Sequence, residues 1–336
     1  MSVILAEKTL AAIESALKAD QGARFRRELG RAVTECDDAF RGEEEFPFRN
    51  HLGASILGRD CPRQLWYTFR WAKRAHHIGR TIRLFNRGHL EEARFVALLR
   101  MIDYKIWQID SNGKQFRISH FGGHYGSAID GVIGGCLEIP NQPGITEFKT
   151  YNDKNFQKLK KEGVRSAKFE HYVQMQQYCG YYRIGYALYV AVNKNDDELY
   201  AEIIYFDPEN YAQYLDRAQS IIATSEGPIR PFTSAQWTCK LCEYRDICHK
   251  GFAPERNCRT CRYSQAWADG TWHCQLYNCE LDKFQQFNAC NSWDMIPGLA
   301  NHATSQLPDF SGGLSLGALH VGGPGERSSG SSDGDG

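Results

Sequence analysis

The 336-residue sequence lacks the features that assign many proteins to a class at first sight. Acidic and basic residues number 40 each, so no overall basic field indicates a polyanionic partner, and any such binding must use local clusters. No apolar run approaches the roughly 18 residues of a membrane helix. The first residues also lack the regions of a signal peptide. We therefore expect a cytoplasmic protein that does not bind a membrane.

The phosphate-binding loop GxxxxGK(S/T) is absent as well, so any helicase that works with this chain must be a separate protein. Cysteine, in contrast, is abundant: there are 12, and eight of them lie between Cys239 and Cys290. Because a reducing compartment disfavours disulfides, this crowding predicts metal or redox chemistry. The isolated Cys36, Cys136 and Cys179 are expected to be buried thiols.

Hydrophobic periodicity predicts an α/β protein. Three-to-four-residue spacing favours helices at 9–40, 83–102, 172–182 and 208–224. Strand-like runs occupy 104–121, 186–192 and 200–206. A cysteine next to a proline, at Cys61, indicates another helix start. This order predicts a central mixed sheet flanked by helices.

Two short apolar runs on either side of a Pro/Gly-containing turn, within residues 128–152, carry polar groups that are unusual in a strand. If the runs form neighbouring strands, Asp130 lies in the first, while Glu147 and Lys149 share one face of the second. Carboxylates suit Mg²⁺ or Mn²⁺, and a lysine can orient water or stabilise negative charge on phosphorus. Taken alone, the same residues also fit surface charges on a hairpin.

Two further patterns lie on predicted helices. The first is Arg87-Gly88-x-x-x-Glu92, and the second is Gln174 with Tyr178, four residues apart on one face. In chain order the combined motif residues are Glu92, Asp130, Glu147, Lys149, Gln174 and Tyr178. This series resembles the PD-(D/E)xK nuclease superfamily, in particular its RecB-like branch. The resemblance implies a restriction-endonuclease-like α/β core.

The resemblance also implies a Mg²⁺- or Mn²⁺-dependent deoxyribonuclease. The implied metal ligands are Glu92, Asp130, Glu147 and the backbone carbonyl of Phe148, with Glu91 and His89 as alternatives to Glu92. Lys149 would position a water or neutralise developing charge. Gln174 and Tyr178 would hold that lysine or a DNA phosphate.

A basic segment follows the hairpin. Its residues are Lys154, Lys158, Lys160, Lys161 and Arg165. They could bind the phosphates of DNA, which supply affinity without reading sequence, although most such runs are only solvated faces.

Three cysteines form a C-x2-C-x5-C pattern at Cys239, Cys242 and Cys248, one thiolate short of a tetrahedral set. Cys61 is the best candidate for the fourth. One cysteine before the core and three after it resemble the iron-sulfur staple of CRISPR-associated RecB-like and AddB-type nucleases. That resemblance implies a 4Fe-4S cluster, with zinc as the alternative.

A second group contains a Cys258-x2-Cys261 knuckle and predicts a small zinc module. Its expected ligands are Cys258, Cys261, Cys274 and Cys290, with Cys279 and His273 as replacements. The module either contacts DNA or a partner, with Arg256, Arg259 and Arg262 nearby, or serves only to fold the segment. Similar extensions on bacteriophage nucleases imply a phage origin, in which case the location is the host cytoplasm.

These patterns predict four segments: N-terminal helices at 1–50, a nuclease core at 51–250, a Cys-rich module at 251–300 and a disordered Gly/Ser-rich tail at 301–336. The expected function is a DNA exonuclease of recombination, repair or phage DNA processing, with a helicase, recombinase or single-strand-binding protein as partner. The alternatives are a non-catalytic nucleic-acid-binding scaffold and an iron-sulfur redox protein.

Overall fold

The structure is a computed structural model, and we describe residues 3–35 and 46–300. Cys36 and the predicted tail at 301–336 lie outside the described residues. The described strands are β1 Leu52–Gly53, β2 Lys105–Trp107, β3 Arg117–His120, β4 Tyr125–Ala128, β5 Gly131–Gly134, β6 Gly144–Tyr151, β7 Tyr186–Asn193, β8 Leu199–Tyr205, β9 Ser264–Ala266, β10 Trp272–Cys274 and β11 Cys279–Glu280. The described helices are α1 Glu7–Asp20, α2 Ala23–Thr34, α3 Ala54–Leu57, α4 Pro62–Phe69, α5 Gly79–Met101, α6 Asp153–Ala167, α7 Phe169–Tyr182, α8 Pro208–Ala223, α9 Trp237–Lys240, α10 Arg245–Lys250 and α11 Lys283–Phe287.

A five-stranded mixed sheet forms the centre of the fold, in the order β2-β5-β6-β7-β8. Strands β6 and β7 run parallel, and the other neighbours run antiparallel. The predicted α/β class with a mixed sheet flanked by helices is therefore confirmed. None of the described helices combines the length and the apolar character needed to cross a membrane.

Helices cover both faces of this sheet. Helices α1, α2 and α5 pack on one face, where Phe148 and Leu188 belong to the same apolar cluster as Phe95. Helices α6 and α7 pack on the other face, in a cluster with Tyr189 and Tyr178. Because strand side chains alternate between faces, β6 contributes Phe148 to the first layer and Glu147 and Lys149 to the second.

The region 104–121 divides between two sheets, which the sequence did not indicate. Strand β2 joins the central sheet, whereas β3 pairs with β4 in a separate sheet ordered β1-β4-β3. The basic segment that follows the hairpin forms helix α6. Asn152 caps this helix by accepting a hydrogen bond from the N–H of Asn155.

The Cys-rich segment 251–300 packs into the same core as α4 and α7, since Cys258, Trp272 and Leu299 are buried members of that apolar cluster. The Cys-rich segment also packs against residues 121–123. The two backbones are so close there that a Cβ on Gly122 would clash with the backbone of Asp269. Gly122 also has a φ of 65°, which favours glycine.

Arg259 fixes this packing from inside. Its guanidinium lies 3.8 Å from the ring centre of Trp71 and 4.5 Å from that of Trp272. It donates hydrogen bonds to the carbonyls of Asn50 and Phe69. Because its side chain is only 3% exposed, Arg259 itself offers no surface to DNA or a partner. A planar fork of donors suits several fixed acceptors at once.

We predict that Arg259→Lys lowers the free energy of unfolding by about 2–4 kcal/mol, because an ammonium cannot make the same forked contacts or stack between two indoles. Urea denaturation would measure the loss. Arg262→Lys is the matched control, since Arg262 pairs with Asp294 on the surface. Equal stability of the two variants would contradict this account.

Candidate active site

The candidate site lies where β5 stops pairing with β6. The register runs from Ile133 opposite Gly144 to Gly131 opposite Thr146, so β6 continues from Glu147 without β5 beside it. Asp130 occupies the vacated place, and its Oδ2 accepts a hydrogen bond of 2.7 Å from the N–H of Phe148. Asp130 thus lies in the bend before β5, and the expectation that it lies within the strand is wrong.

Glu147 and Lys149 share one face of β6, as their spacing predicts. Glu147 is completely buried, and its Oε1 accepts a hydrogen bond from the Lys149 ammonium. Its other oxygen, Oε2, is buried without a hydrogen-bond partner in the described structure. The Lys149 side chain retains 27% exposure and lines a cleft, so the amine reaches solvent. A buried carboxylate oxygen without a donor is a strong acceptor for a cation.

Burial raises the pKa of Glu147 to about 7; Lys149 acts in the opposite direction, and Asp130 adds to the rise. Burial also raises the pKa of Asp130, which Lys149 and the N–H of Phe148 offset only in part. Burial favours the neutral amine of Lys149, but Glu147 and Asp130 outweigh it, so the pKa of Lys149 is raised. Two carboxylates with one ammonium therefore leave a surplus of negative charge.

A cleft of about 770 Å³ opens beside this group, and both Glu92 and His89 of α5 line it. Phe95 stacks on Phe148 with ring centres 5.0 Å apart and so fixes α5 against the strand. Glu91 does not line the cleft and instead pairs with Arg94 at 3.0 Å. The structure thus favours Glu92 and His89 over Glu91 as site residues.

Gln174 and Tyr178 of α7 are buried and act on the backbone before Asp130. The Gln174 amide donates to the Tyr178 hydroxyl at 2.6 Å, and that hydroxyl donates to the carbonyl of Ala128 at 2.9 Å. Ser127 Oγ lies 3.0 Å from the same hydroxyl. Through these hydrogen bonds the pair holds the end of β4 and thereby positions Asp130.

A buried network beside Lys149 was not found from the sequence. His171 Nδ1 lies 2.9 Å from the Tyr189 hydroxyl and 3.2 Å from the Tyr151 hydroxyl. Burial, with the charges of Lys149 and Lys168, lowers the pKa of His171 to about 2, so the ring is neutral. The available signals were the position of Tyr151, two residues after Lys149, and that of His171, three residues before Gln174.

The five basic residues of α6 are exposed, but three of them pair with acids of the protein itself. Those pairs are Lys158 with Glu162, Lys160 with Glu198 and Arg165 with Asp207. Lys154 and Lys161 are exposed on the same helix. The surface that α6 offers to phosphates is therefore less basic than its sequence suggests.

The first cysteine group is brought together from both ends of the core. Cys61 precedes α4, and the other three thiols lie on or between α9 and α10, yet all four line one small cavity. Burial and the neighbouring thiols of Cys248 and Cys61 raise the pKa of Cys239. His249 Nε2 lies 3.3 Å from Cys239 Sγ.

The second cysteine group is also assembled. Burial and the nearby thiols of Cys261, Cys290 and Cys274 raise the pKa of Cys258 to about 12. Cys279 is exposed. The ring of His273 stacks on that of Trp267 with ring centres 3.5 Å apart, so the contact that this ring makes is with an indole. Cys136 and Cys179 are buried single thiols, as predicted.

Across residues 3–35 and 46–300, no three His, Cys, Asp or Glu side chains have the spacing of a complete metal site. The chemistry of the donors nevertheless fits cations at three places. Glu147 Oε2 is a buried oxygen without a donor beside a second carboxylate. Each cysteine group collects four thiols, which as thiolates need a cation among them.

We predict that Glu147→Gln stabilises the metal-free protein at about pH 8 by about 1–3 kcal/mol and has little effect at about pH 5. The unfolded carboxyl ionises near pH 4.5, whereas the folded one keeps its proton to about pH 7. The charge therefore destabilises the fold progressively as pH rises through this range. Thermal unfolding in EDTA measures the effect.

The matched control is Glu198→Gln, which removes an exposed carboxylate that pairs with Lys160. We expect it to leave the pH dependence of unfolding unchanged. A Glu147→Gln variant that is destabilised equally at both pH values would contradict the assignment of a strained carboxylate.

Comparison with known proteins gives a partial likeness only. No family model and no curated protein matches the chain. Among solved structures, the alkaline exonuclease LHK-Exo from Laribacter hongkongensis matches 52% of this chain and 87% of its own, at 16% identity and a TM-score of 0.38. Its complex with dAMP gives the same values. The protein SSO0001 matches 66% of this chain and 95% of its own, at 14% identity and a TM-score of 0.36. Similarity at this level assigns no role to any residue here.

Proposed function

We propose that the chain is a divalent-metal-dependent deoxyribonuclease of the PD-(D/E)xK type. The observation that carries the proposal is the group formed by Asp130, Glu147 and Lys149 where β5 leaves β6. The buried carboxylate of Glu147, the half-buried carboxylate of Asp130 and the Lys149 ammonium lie together beside an open cleft that Lys149 lines, and one oxygen of Glu147 lacks a donor. Such a group has the composition needed to bind a hard cation and stabilise charge on a phosphate.

Asp130, Glu147, the carbonyl of Phe148 and Glu92 would hold the ions, with His89 as the alternative to Glu92. A bound Mg²⁺ or Mn²⁺ supplies a Lewis acid for the phosphate and lowers the pKa of a water. In the metal-free structure Lys149 is held by Glu147. In the proposed enzyme Lys149 would orient the attacking water or neutralise the charge that develops on phosphorus.

Gln174 and Tyr178 are positioning residues in this proposal, because they hold the backbone before Asp130 through Ala128. Lys154 and Lys161 of α6 would bind phosphates of the DNA backbone. The paired residues Lys158, Lys160 and Arg165 would do so at the expense of their internal ion pairs.

The two cysteine groups would be structural metal sites. Cys61, Cys239, Cys242 and Cys248 join the beginning and the end of the core, which suits a 4Fe-4S staple of the RecB-like kind or a zinc ion. Cys258, Cys261, Cys274 and Cys290 would hold zinc. In this scheme residues 51–250 form the nuclease core, preceded by the helices of 1–50 and followed by the zinc-binding segment 251–300.

We further propose exonuclease action in recombination, repair or phage DNA processing in the cytoplasm of a cell or phage host, alongside a separate helicase, recombinase or single-strand-binding protein. The alternative is a non-catalytic scaffold that only holds DNA. One observation favours it: the carboxylate of Glu147 is engaged by the Lys149 ammonium. Cleavage assays separate the two functions.

We predict that the purified protein degrades end-labelled DNA with Mg²⁺ or Mn²⁺ but not with EDTA. Asp130→Asn should reduce the rate at least about 100-fold, because the negative charge that would bind the metal is lost. The fold should not change, because the amide oxygen can still accept a hydrogen bond from the N–H of Phe148. Lys149→Ala should cause a similar loss. DNA binding and the fold should be retained in both.

Asp197→Asn is the matched control, because it removes a carboxylate that is 73% exposed and 3.9 Å from Arg94. Full activity in Asp130→Asn and Lys149→Ala would overturn the nuclease assignment. DNA binding by the wild-type protein without cleavage would establish the scaffold instead.

For the cysteine groups we predict iron and inorganic sulfide with a broad visible absorbance band in protein purified without oxygen, and zinc in addition. Cys242→Ser should remove the iron and leave the zinc, while Cys261→Ser should do the reverse. Cys279→Ser should retain both metals, because Cys279 is not among the thiols that act on Cys258 and lies outside the proposed set. A colourless protein that contains only zinc would refute the iron-sulfur assignment.

A further inference from the structure

The first half of α5 projects from the body of the protein. Residues 79–87 are almost all exposed, whereas the helix is largely buried from Ala93 onward. The exposed part carries large apolar side chains: Ile78 is 70% exposed, Ile82 56% and Phe85 48%. Holding such groups in water is unfavourable, and a contiguous set of them marks a binding surface.

Two stripes run along this half of the helix. Ile78, Ile82 and Phe85 follow a spacing of four and three residues, and Arg80, Arg83 and Arg87 follow a spacing of three and four. Among the described residues, none of these three arginines has an acidic partner within 4.0 Å, in contrast to the basic residues of α6 that pair internally. An apolar stripe beside an arginine stripe suits a ligand with both flat apolar faces and repeated negative charge.

The apolar stripe continues into the candidate active site. Phe85, His89 and Glu92 succeed one another on the same side of α5, and all three line the cleft that contains Lys149. Phe48 and Arg49 line the same cleft from another segment of the chain. A ligand that lies along the exposed helix is therefore led to Glu92 and Lys149 of the proposed site.

Phe85 provides a stacking platform at the mouth of the cleft. The ring of His77 meets it edge to face, with ring centres 5.0 Å apart and planes at 86°. The His77 contact orients the Phe85 ring, which remains about half exposed. Aromatic rings of this kind bind nucleobases by stacking, which requires a base that is not already stacked in a duplex.

We propose that the exposed half of α5 binds an unpaired polynucleotide strand, with the backbone on Arg80, Arg83 and Arg87 and a base on Phe85, and directs it into the cleft. The inference rests on the proposed nuclease function, for which it names the form of the substrate. Because the half-exposed ring of Phe85 can stack only on a base that is not already stacked in a duplex, the ligand that fits this surface is an unpaired strand.

The length of the helix sets the length of the bound strand. From Arg80 to Glu92 the helix rises about 18 Å at 1.5 Å per residue. At about 3.4 Å per stacked nucleotide this distance corresponds to about five nucleotides. Affinity should therefore rise with strand length up to about this size and then level off.

The test is fluorescence anisotropy with the full-length protein in EDTA, which prevents cleavage. The probes are labelled oligothymidine, oligouridine and a blunt DNA duplex. Phe85→Ala should weaken single-strand binding at least about 5-fold, and Phe85→Tyr should restore it. Changing Arg80, Arg83 and Arg87 together to Gln should reduce the slope of log affinity against log salt by about 2.

The matched control changes three exposed arginines of α2, Arg26, Arg27 and Arg31, to Gln, and we expect single-strand affinity to be unchanged. Tighter binding of either single strand than of the duplex, lost in the α5 variants alone, supports the inference. Equal binding of the duplex, or wild-type affinity in both α5 variants, overturns it. Absence of cleavage with Mg²⁺ would remove the proposed nuclease function and leave this binding result standing.

Discussion

The central constraint in this fold is the placement of a buried carboxylate, Glu147, and a half-buried one, Asp130, beside a single ammonium where β5 ends its pairing with β6. Asp130 takes the place of the missing strand by accepting from the N–H of Phe148, and Glu147 is held by Lys149. Such a group is unfavourable in a core unless the surroundings fix it. Two helices do so from opposite faces: α5 through the stack of Phe95 on Phe148, and α7 through the bond from Tyr178 to Ala128.

The sequence predicts the parts of this site that depend on local periodicity. Glu147 and Lys149 share a face because strand side chains alternate, and Gln174 and Tyr178 share a face because helical residues four apart do. Two properties were not predictable, namely the position of Asp130 in a bend and the target of the Gln174–Tyr178 pair. Both depend on where β5 stops pairing and on how α7 lies against β4, which are tertiary relations without a local pattern.

The presence of a charged residue in the sequence did not predict whether its side chain is exposed and unpaired. Arg259 resembles a surface arginine within a basic knuckle, yet it is buried between Trp71 and Trp272, since aromatic rings and carbonyls from distant segments surround it. The lysines of α6 form a basic run in sequence, but Glu198, brought near by the turn between β7 and β8, pairs with Lys160. The arginines of α5 do not form a continuous run in the sequence, although no acid among the described residues pairs with them.

The second cysteine group and the cleft are linked by the segment that precedes α4. Phe48 lines the cleft and stacks on Trp71 at 5.1 Å, and Trp71 in turn packs against Arg259, which follows Cys258 directly. Phe46, another cleft residue, lies 5.5 Å from Phe287 of α11. One wall of the cleft is therefore built on side chains that the Cys-rich segment holds in place. Since tightly packed interiors transmit displacement, the order of that segment bears directly on the shape of the cleft.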